Sequence, residues 1–457
     1  MPSNPATPCA EPTLFSLLPS TLAATALAEV PCAARTAASA QGVRLRLAQR
    51  DQIAWGRVDL GSTLPAEHPA RAIWAVVERL ELSTLYTEIE SRGEIAGAPA
   101  IDPKILLALW IFATSDGEGS AREIWRLTQA HDAYRWICGG IDIGYHTLSD
   151  FRSSKGAFID GLITQVLALL LKQDLVDLSR VAQDGTRVRA SAGAASFRRT
   201  QTLQALMLEA RAHLEAVARE ALDPEISTRR AAAIKRGAQE RLERLEEALR
   251  QVPEVVETKK RSGARDSTAR VSTTDPQARV MKMGDGGFRP AYNVQFATTT
   301  DQARVIVGVD VNNRGSDMGQ STALLEQIER RTGLRPKELL VDGGYAEHAA
   351  IDRAAEQGTT VYAPTPKPRE GDTRDPHAPR EGDSPSVGAW RQRMGTDEAK
   401  EIYKLRAATA ETVNADAKCH RGLDHLGVRG RDKALGSACL FALTYDILRL
   451  ICLRALS

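Results

Sequence analysis

Two aspartates, each followed at once by glycine, are the first residues whose placing suggests chemistry. They are Asp184, in Ala182-Gln183-Asp184-Gly185-Thr186, and Asp342, in Leu340-Val341-Asp342-Gly343-Gly344-Tyr345. Both stand where a strand is expected to end. Glycine there allows a sharp turn and leaves room for a ligand beside the carboxylate. Two carboxylates drawn side by side repel each other and need a cation between them, and Mg²⁺, with its preference for oxygen, is the natural one. Taken singly, each Asp-Gly is also what a plain turn shows.

The segment Tyr403–Lys418 supplies a third carboxylate. On a regular helix, turning about 100° per residue, Tyr403, Arg406, Glu411, Asn414 and Lys418 share an arc of roughly 140°. Ile402, Leu405 and Val413 lie opposite, where they could pack on a sheet. A carboxylate flanked by cations suits a metal ligand beside a phosphate backbone. A solvent-facing helix laced with charge pairs has the same look. Asp310, Asp317 and Asp275 are further acids that could line a cleft.

The elements that must position these groups fall into three stretches. Residues 1–62, rich in Ala, Pro, Ser and Thr, read as a poorly ordered arm. Residues 63–173 are helical in pattern: Ala70–Tyr86 carries apolar residues at helical spacing, and Asp102-Pro103 opens a helix through Ala113. Ser120–Glu123 and Thr147–Asp150 read as capping boxes. Short helices joined by tight turns resemble a helix-turn-helix arrangement, and a plain helical bundle fits equally. Residues 174–457 alternate strands and helices, which indicates a mixed α/β (α+β) sheet. A strand–turn–strand pair brackets Asp184-Gly185. Strands are expected at 291–299, 304–311, 337–342 and 359–363, a Pro-, Gly- and Asp-rich loop at 364–386, and two closing helices at about 398–420 and 433–456. A helical hairpin, broken at Asp223-Pro224, is inserted at about 200–262.

Composition excludes some classes. Of 457 residues, 43% are hydrophobic and 26% charged, so a mainly disordered, collagen-like or coiled-coil chain is excluded. The longest apolar run, Ile105–Ala113, is too short for a bilayer, so no membrane partner is expected. The six cysteines (Cys9, Cys32, Cys138, Cys419, Cys439, Cys452) form no CxxC pair and read as reduced, buried thiols. No Lys or Arg precedes Arg35, so a secretory signal is not expected and the chain is placed in the cytoplasm. Net charge is only +2, but Arg187, Arg189, Arg198 and Arg199, then Lys259–Arg270, then Lys404–Lys433 gather basic residues compatible with phosphate binding.

Asp184, Asp342, Tyr403, Arg406, Glu411 and Lys418, in that order, resemble the DDE transposases of bacterial insertion sequences. The likeness is to the branch with a helical N-terminal domain and a tyrosine–arginine–glutamate–lysine signature. Thr147-Leu148-Ser149-Asp150-Phe151-Arg152 and Val428-Arg429-Gly430 also look like segments of that family, and the resemblance spans roughly residues 65–457. Four residues separate Arg406 from Glu411, where the commonest family form has three, so Glu401 and Glu398 are alternatives on the same helix.

The resemblance implies a ribonuclease-H-like catalytic core, preceded by an all-helical domain for DNA binding or dimerisation. Asp184, Asp342 and Glu411 would hold two Mg²⁺ ions, or Mn²⁺ in their place. Arg406 and Lys418 would bind DNA phosphates, and Tyr403 would stack on or position a displaced base. The implied reaction is metal-dependent cleavage and strand transfer at terminal inverted repeats, on double-stranded DNA, by a homodimer working at the bacterial nucleoid. An inactive, transposase-derived DNA-binding protein or repressor is the alternative, and a metal-dependent nuclease that does not join strands is a third reading.

Overall fold

The computed structural model describes residues 59–456 apart from 90–98, 221–227, 369 and 371–372. The arm expected at residues 1–62 lies almost wholly outside the described residues, as do Cys9, Cys32 and the Asp223-Pro224 break.

Among the described residues the first seven α-helices are α1 (Pro69–Val77), α2 (Ser83–Thr87), α3 (Pro103–Ser115), α4 (Ala121–Ala130), α5 (Asp132–Cys138), α6 (Tyr145–Ser154) and α7 (Gly156–Lys172). Helix α3 starts as its sequence dictates. The Asp102 carboxylate accepts from the Lys104 amide at 2.9 Å, and Pro103 occupies the first turn, where its missing N–H is not needed. Ser120 caps α4 by accepting from the Glu123 amide. The second capping box does not form: Gly144 is the N-cap of α6, and Thr147 lies within that helix. The apolar stretch 70–86 falls in two helices, α1 and α2.

The sheet follows. Its strands are β1 (Arg180–Arg189), β4 (Arg279–Lys282), β5 (Phe288–Thr299), β6 (Ile306–Asn312), β7 (Glu338–Leu340) and β8 (Thr360–Tyr362), with a separate two-residue pair β2 (Phe197–Arg198) and β3 (Val271–Ser272). β5 pairs antiparallel with β1 on one edge and with β4 and β6 on the other; β7 and β8 continue beyond β1 in parallel. This mixed, centrally stacked order is the ribonuclease-H-like arrangement.

Between β2 and β3 stands the hairpin of α8 (Thr200–Glu220) and α9 (Thr228–Arg261). Leu203, Val217, Leu242 and Leu245 close its own small core. Helices α10 (Ser321–Thr332) and α11 (His348–Glu356) alternate with the later strands. A helix not foreseen, α12 (Pro385–Gly395), ends the Pro-rich loop; Ser384 caps it, and the Trp390 indole donates to the Ala363 carbonyl at 2.9 Å. Helix α13 (Asp397–Arg406), a π-helical turn (Ala407–Glu411) and helix α14 (Thr412–Cys419) lead to α15 (Arg431–Leu456).

One apolar core runs through Leu107 and Ile163 of the helical region, Val181, Phe296 and Val307 of the sheet, and Leu443 and Ile447 of α15. The stretch Arg431–Arg454 is long and apolar enough to cross a bilayer, but 61% of its most apolar part is buried inside the protein, as expected of a core helix. Of the four described cysteines, Cys138 and Cys439 are buried as foreseen, whereas Cys419 and Cys452 are exposed.

Candidate active site

The sequence placed Asp184 at a turn, but β1 runs through it without a break and Asp184 sits in mid-strand. Gly185 is required by crowding. A Cβ there would fall less than 3 Å from the side chains of Gln295, Asp317 and Asn293. Those three occupy the sheet face behind Gly185, and strand alternation turns Asp184 to the other face. β1 and β7 pair in parallel with Ala182 beside Leu340. The ladder ends at that pair and Asp342 lies two residues beyond β7, near enough to Asp184 for its charge to help raise the Asp184 carboxyl. Asp342 is exposed and caps a 3₁₀ turn, Gly343–Tyr345.

Across the cleft stand α13, the π turn and α14. Arg406, whose side chain is only 11% exposed, forms an ion pair with Asp184 Oδ1 at 3.0 Å and donates to Glu411 Oε1 at 3.4 Å. Asn414 donates to Asp184 Oδ2 at 3.0 Å. A regular helix would hold Arg406 and Glu411 roughly 140° apart. The π turn winds more residues into each turn, so positions five apart come onto one face. The extra residue in the Arg406–Glu411 interval is absorbed there, and Glu411, not Glu401, shares the guanidinium with Asp184. Glu401 instead pairs with Lys404 at 2.5 Å. Lys418 is half-buried; burial and the nearby Arg187 pull its ammonium below the usual lysine range. Tyr403 is half-buried, and burial raises its phenol above the usual range.

This geometry carries a test. Deleting Ala408, exposed on the π turn, is expected to leave plain α-helix with Arg406, Glu411, Asn414 and Lys418 still on one face. Unfolding should fall by no more than about 2 kcal/mol. Deleting Ala415 from regular α14 rotates Lys418 by about 100° and should cost more. Equal damage from the two deletions, in thermal melts, would show that the π turn absorbs nothing.

The cleft carries more negative than positive charge. Burial lifts the Asp184 carboxyl above its ordinary range; Arg406 opposes that shift, while Asp317 and Asp342 add to it. Burial pulls Arg406 down, but Asp184 and the other surrounding groups outweigh it and its net shift is upward. Asp317 is held by Asn293 at 2.6 Å, Gln295 at 2.8 Å and Arg187 at 3.0 Å. The Tyr345 hydroxyl, three residues after Asp342, donates to Gln295. A polar network thus ties the Asp342 turn to the strand behind Asp184. Sequence reasoning gave Asn293, Gln295 and Tyr345 no role; the signals were two polar side chains inside an otherwise apolar strand and a tyrosine closing the Asp342-Gly343-Gly344-Tyr345 motif. Asp275 lies apart and fully buried, accepting from the Tyr292 hydroxyl at 2.7 Å. Of the basic residues singled out, Arg187 and Arg189 are committed to ion pairs with Asp317 and Asp424.

The donor set of Asp184, Asp342 and Glu411 is all oxygen, as a hard divalent cation requires. Among the described residues no three such side chains stand close enough to hold an ion as they are. The Arg406 guanidinium fills the place between Asp184 and Glu411, a positive charge where the carboxylates need one. Asn414 Oδ1 and Arg406 Nε are buried without a partner, so the local bonding is incomplete in this arrangement.

A helical region leads into a ribonuclease-H-like sheet with an acidic cleft. Residues 58–154 match the Transposase domain (DUF772), and residues 257–447 match the Transposase DDE domain. Together these matches cover more than half of the chain, which belongs to the DDE transposases of insertion sequences. Members of this family generally depend on divalent metal. Asp342 and Glu411 lie inside the second match; Asp184 falls between the two. No curated protein matches the chain.

Proposed function

We propose that this transposase cuts DNA at the terminal inverted repeats of its element and joins the freed ends to a target, with Asp184, Asp342 and Glu411 as metal ligands. The observation that supports this reading is that Arg406 pairs with both Asp184 on β1 and Glu411, while Asp342 follows β7, the parallel neighbour of β1. These three carboxylates would hold divalent ions, which when bound would supply activation of a water or 3′-hydroxyl and stabilisation of the leaving oxygen at phosphorus.

The chain's own residues do the rest. Asp184, held by Asn414 and the Gly185 amide, presents its carboxylate in a fixed orientation. Arg406 keeps the acidic pair compensated until DNA arrives, then turns its fork to a phosphate. Lys418 gives a second phosphate contact from the same face. Tyr403 lines a hollow of about 340 Å³ with Pro364, Pro366, Lys367, His377 and Met394, which offers a displaced base an aromatic wall. Synapsis of two DNA ends calls for a homodimer, acting on DNA at the nucleoid.

The test is incubation of the protein with Mg²⁺ and duplex DNA carrying the element's ends. Nicking followed by joined product is the expected result. Binding without nicking would favour the repressor reading, and nicking without joining the nuclease reading.

A further inference from the structure

Arg152, which ends the segment Thr147–Arg152, and the loop 421–427 just before Val428–Gly430 line a cleft that the catalytic site does not use. Arg152 of α6 is 9% exposed. Its guanidinium lies over the Trp110 ring, 4.5 Å from the centroid, and Nη1 donates to the Gly119 carbonyl at 2.5 Å. Nε is buried without a partner, and among the described residues no carboxylate pairs with this arginine. Burial, with no opposing charge, pulls it down to about 10. A buried cation left this way is costly unless something anionic completes it.

Arg152 forms part of a cleft of about 50 Å³, room for a few waters or one small oxyanion. Arg421, His425 and Ser437 also line it, and the exposed glycines Gly119 and Gly427 form its rim. Its one acid, Glu118, is turned to the Ser120 amide at 2.5 Å. The cleft is preformed: Gly117 and Gly422, both with positive φ, bring the two loops so close that a Cβ on either would fall under 3 Å from the other loop's backbone.

The second loop is also an extension of the catalytic sheet. The Arg189 amide donates to the Asp424 carbonyl at 3.0 Å, and the Leu426 amide to the Arg189 carbonyl at 2.8 Å. Asp184 lies five residues along the same strand, about 17 Å away, which is about five phosphates along one strand of a duplex.

We propose that this cleft binds a backbone phosphate of the DNA whose scissile bond lies at Asp184 and Asp342, with Arg152 at its floor and His425 at its mouth. The site rests on the functional reading for its ligand's source but not for its chemistry: any phosphate oxyanion would fit the same donors.

Both test arms are run without divalent metal, so neither depends on cleavage. In the first, inorganic phosphate is titrated calorimetrically at constant ionic strength into the whole protein, R152Q, R152K and H425A. Glutamine keeps a donor for the Gly119 carbonyl, and His425 is exposed, so H425A tests the site without disturbing the core. Phosphate is expected to bind the parent, bind R152K and H425A more weakly, and fail on R152Q. In the second arm, duplex binding is followed against salt. R152Q should lose roughly tenfold in affinity and show a slope shallower by about 0.9 in log K against log salt. No phosphate binding by the parent, or equal binding by parent and H425A, would overturn the site. Phosphate binding lost in R152Q with the DNA slope unchanged would overturn the DNA backbone as its source and assign a free oxyanion, leaving the catalytic reading untouched.

Discussion

Replacing Asp342 or Asp184 with asparagine is expected to abolish magnesium-dependent strand cleavage, by about a thousandfold or more, while DNA binding stays within a few-fold of the parent. The swap keeps shape and removes only the negative charge a metal needs. At Asp184 the fold should tolerate it well: the new amide can donate to the Asn414 Oδ1, which is buried and unpartnered. Glu411→Gln should behave likewise, whereas Glu401→Gln, a change at an exposed pair with Lys404, should leave cleavage intact. Gel-resolved cleavage of an end-containing duplex reads all four. Cleavage that survives Asp184→Asn but fails in Asp310→Asn would reassign the site.

Arg406→Ala is expected to be among the most destabilising changes in the cleft. It leaves Asp184, 19% exposed, beside Asp317 and Asp342 with its ion-pair partner gone. Removing one partner of a buried pair costs about 3–5 kcal/mol. The pH dependence has a definite sign. Because burial already raises the Asp184 carboxyl in the fold, the stability tied to its protonated form is full below the ordinary carboxylate range and is lost as pH rises through the folded value. Without Arg406 that value rises further, so the variant should recover towards the parent on acidification and fall away more steeply towards neutral pH. Denaturant melts at pH 5 and pH 7.5 measure the gap. A gap that is equal at both values would mean that Arg406 does not compensate Asp184.

The order of strands and helices and the inserted hairpin were legible because each depends on local pattern. Alternating apolar residues mark β5 and β6, and Leu339–Val341 before Asp342 marks a buried strand end. The rest failed where tertiary contacts overrule local signals. Gly185 reads as a turn, but the side chains of Gln295, Asp317 and Asn293 demand a residue without Cβ inside a continuous strand. A helical wheel assumes one pitch throughout, so it set Arg406 and Glu411 at opposite ends of a shared arc, whereas the π turn brings them to 3.4 Å. Helix α12 was hidden because Pro385 and Gly388 look like loop residues, although proline suits a first turn and Ser384 supplies the cap. The tie from Tyr345 through Gln295 to Asp317 joins residues up to 50 apart, a pairing no local spacing announces.

Manganese anomalous scattering from crystals of the protein bound to an element end tests the metal assignment most directly. Peaks enclosed by the carboxylates of Asp184, Asp342 and Glu411, with the Arg406 guanidinium swung onto a phosphate, are the predicted result. Manganese bound elsewhere, with Arg406 still bridging Asp184 and Glu411, would contradict it.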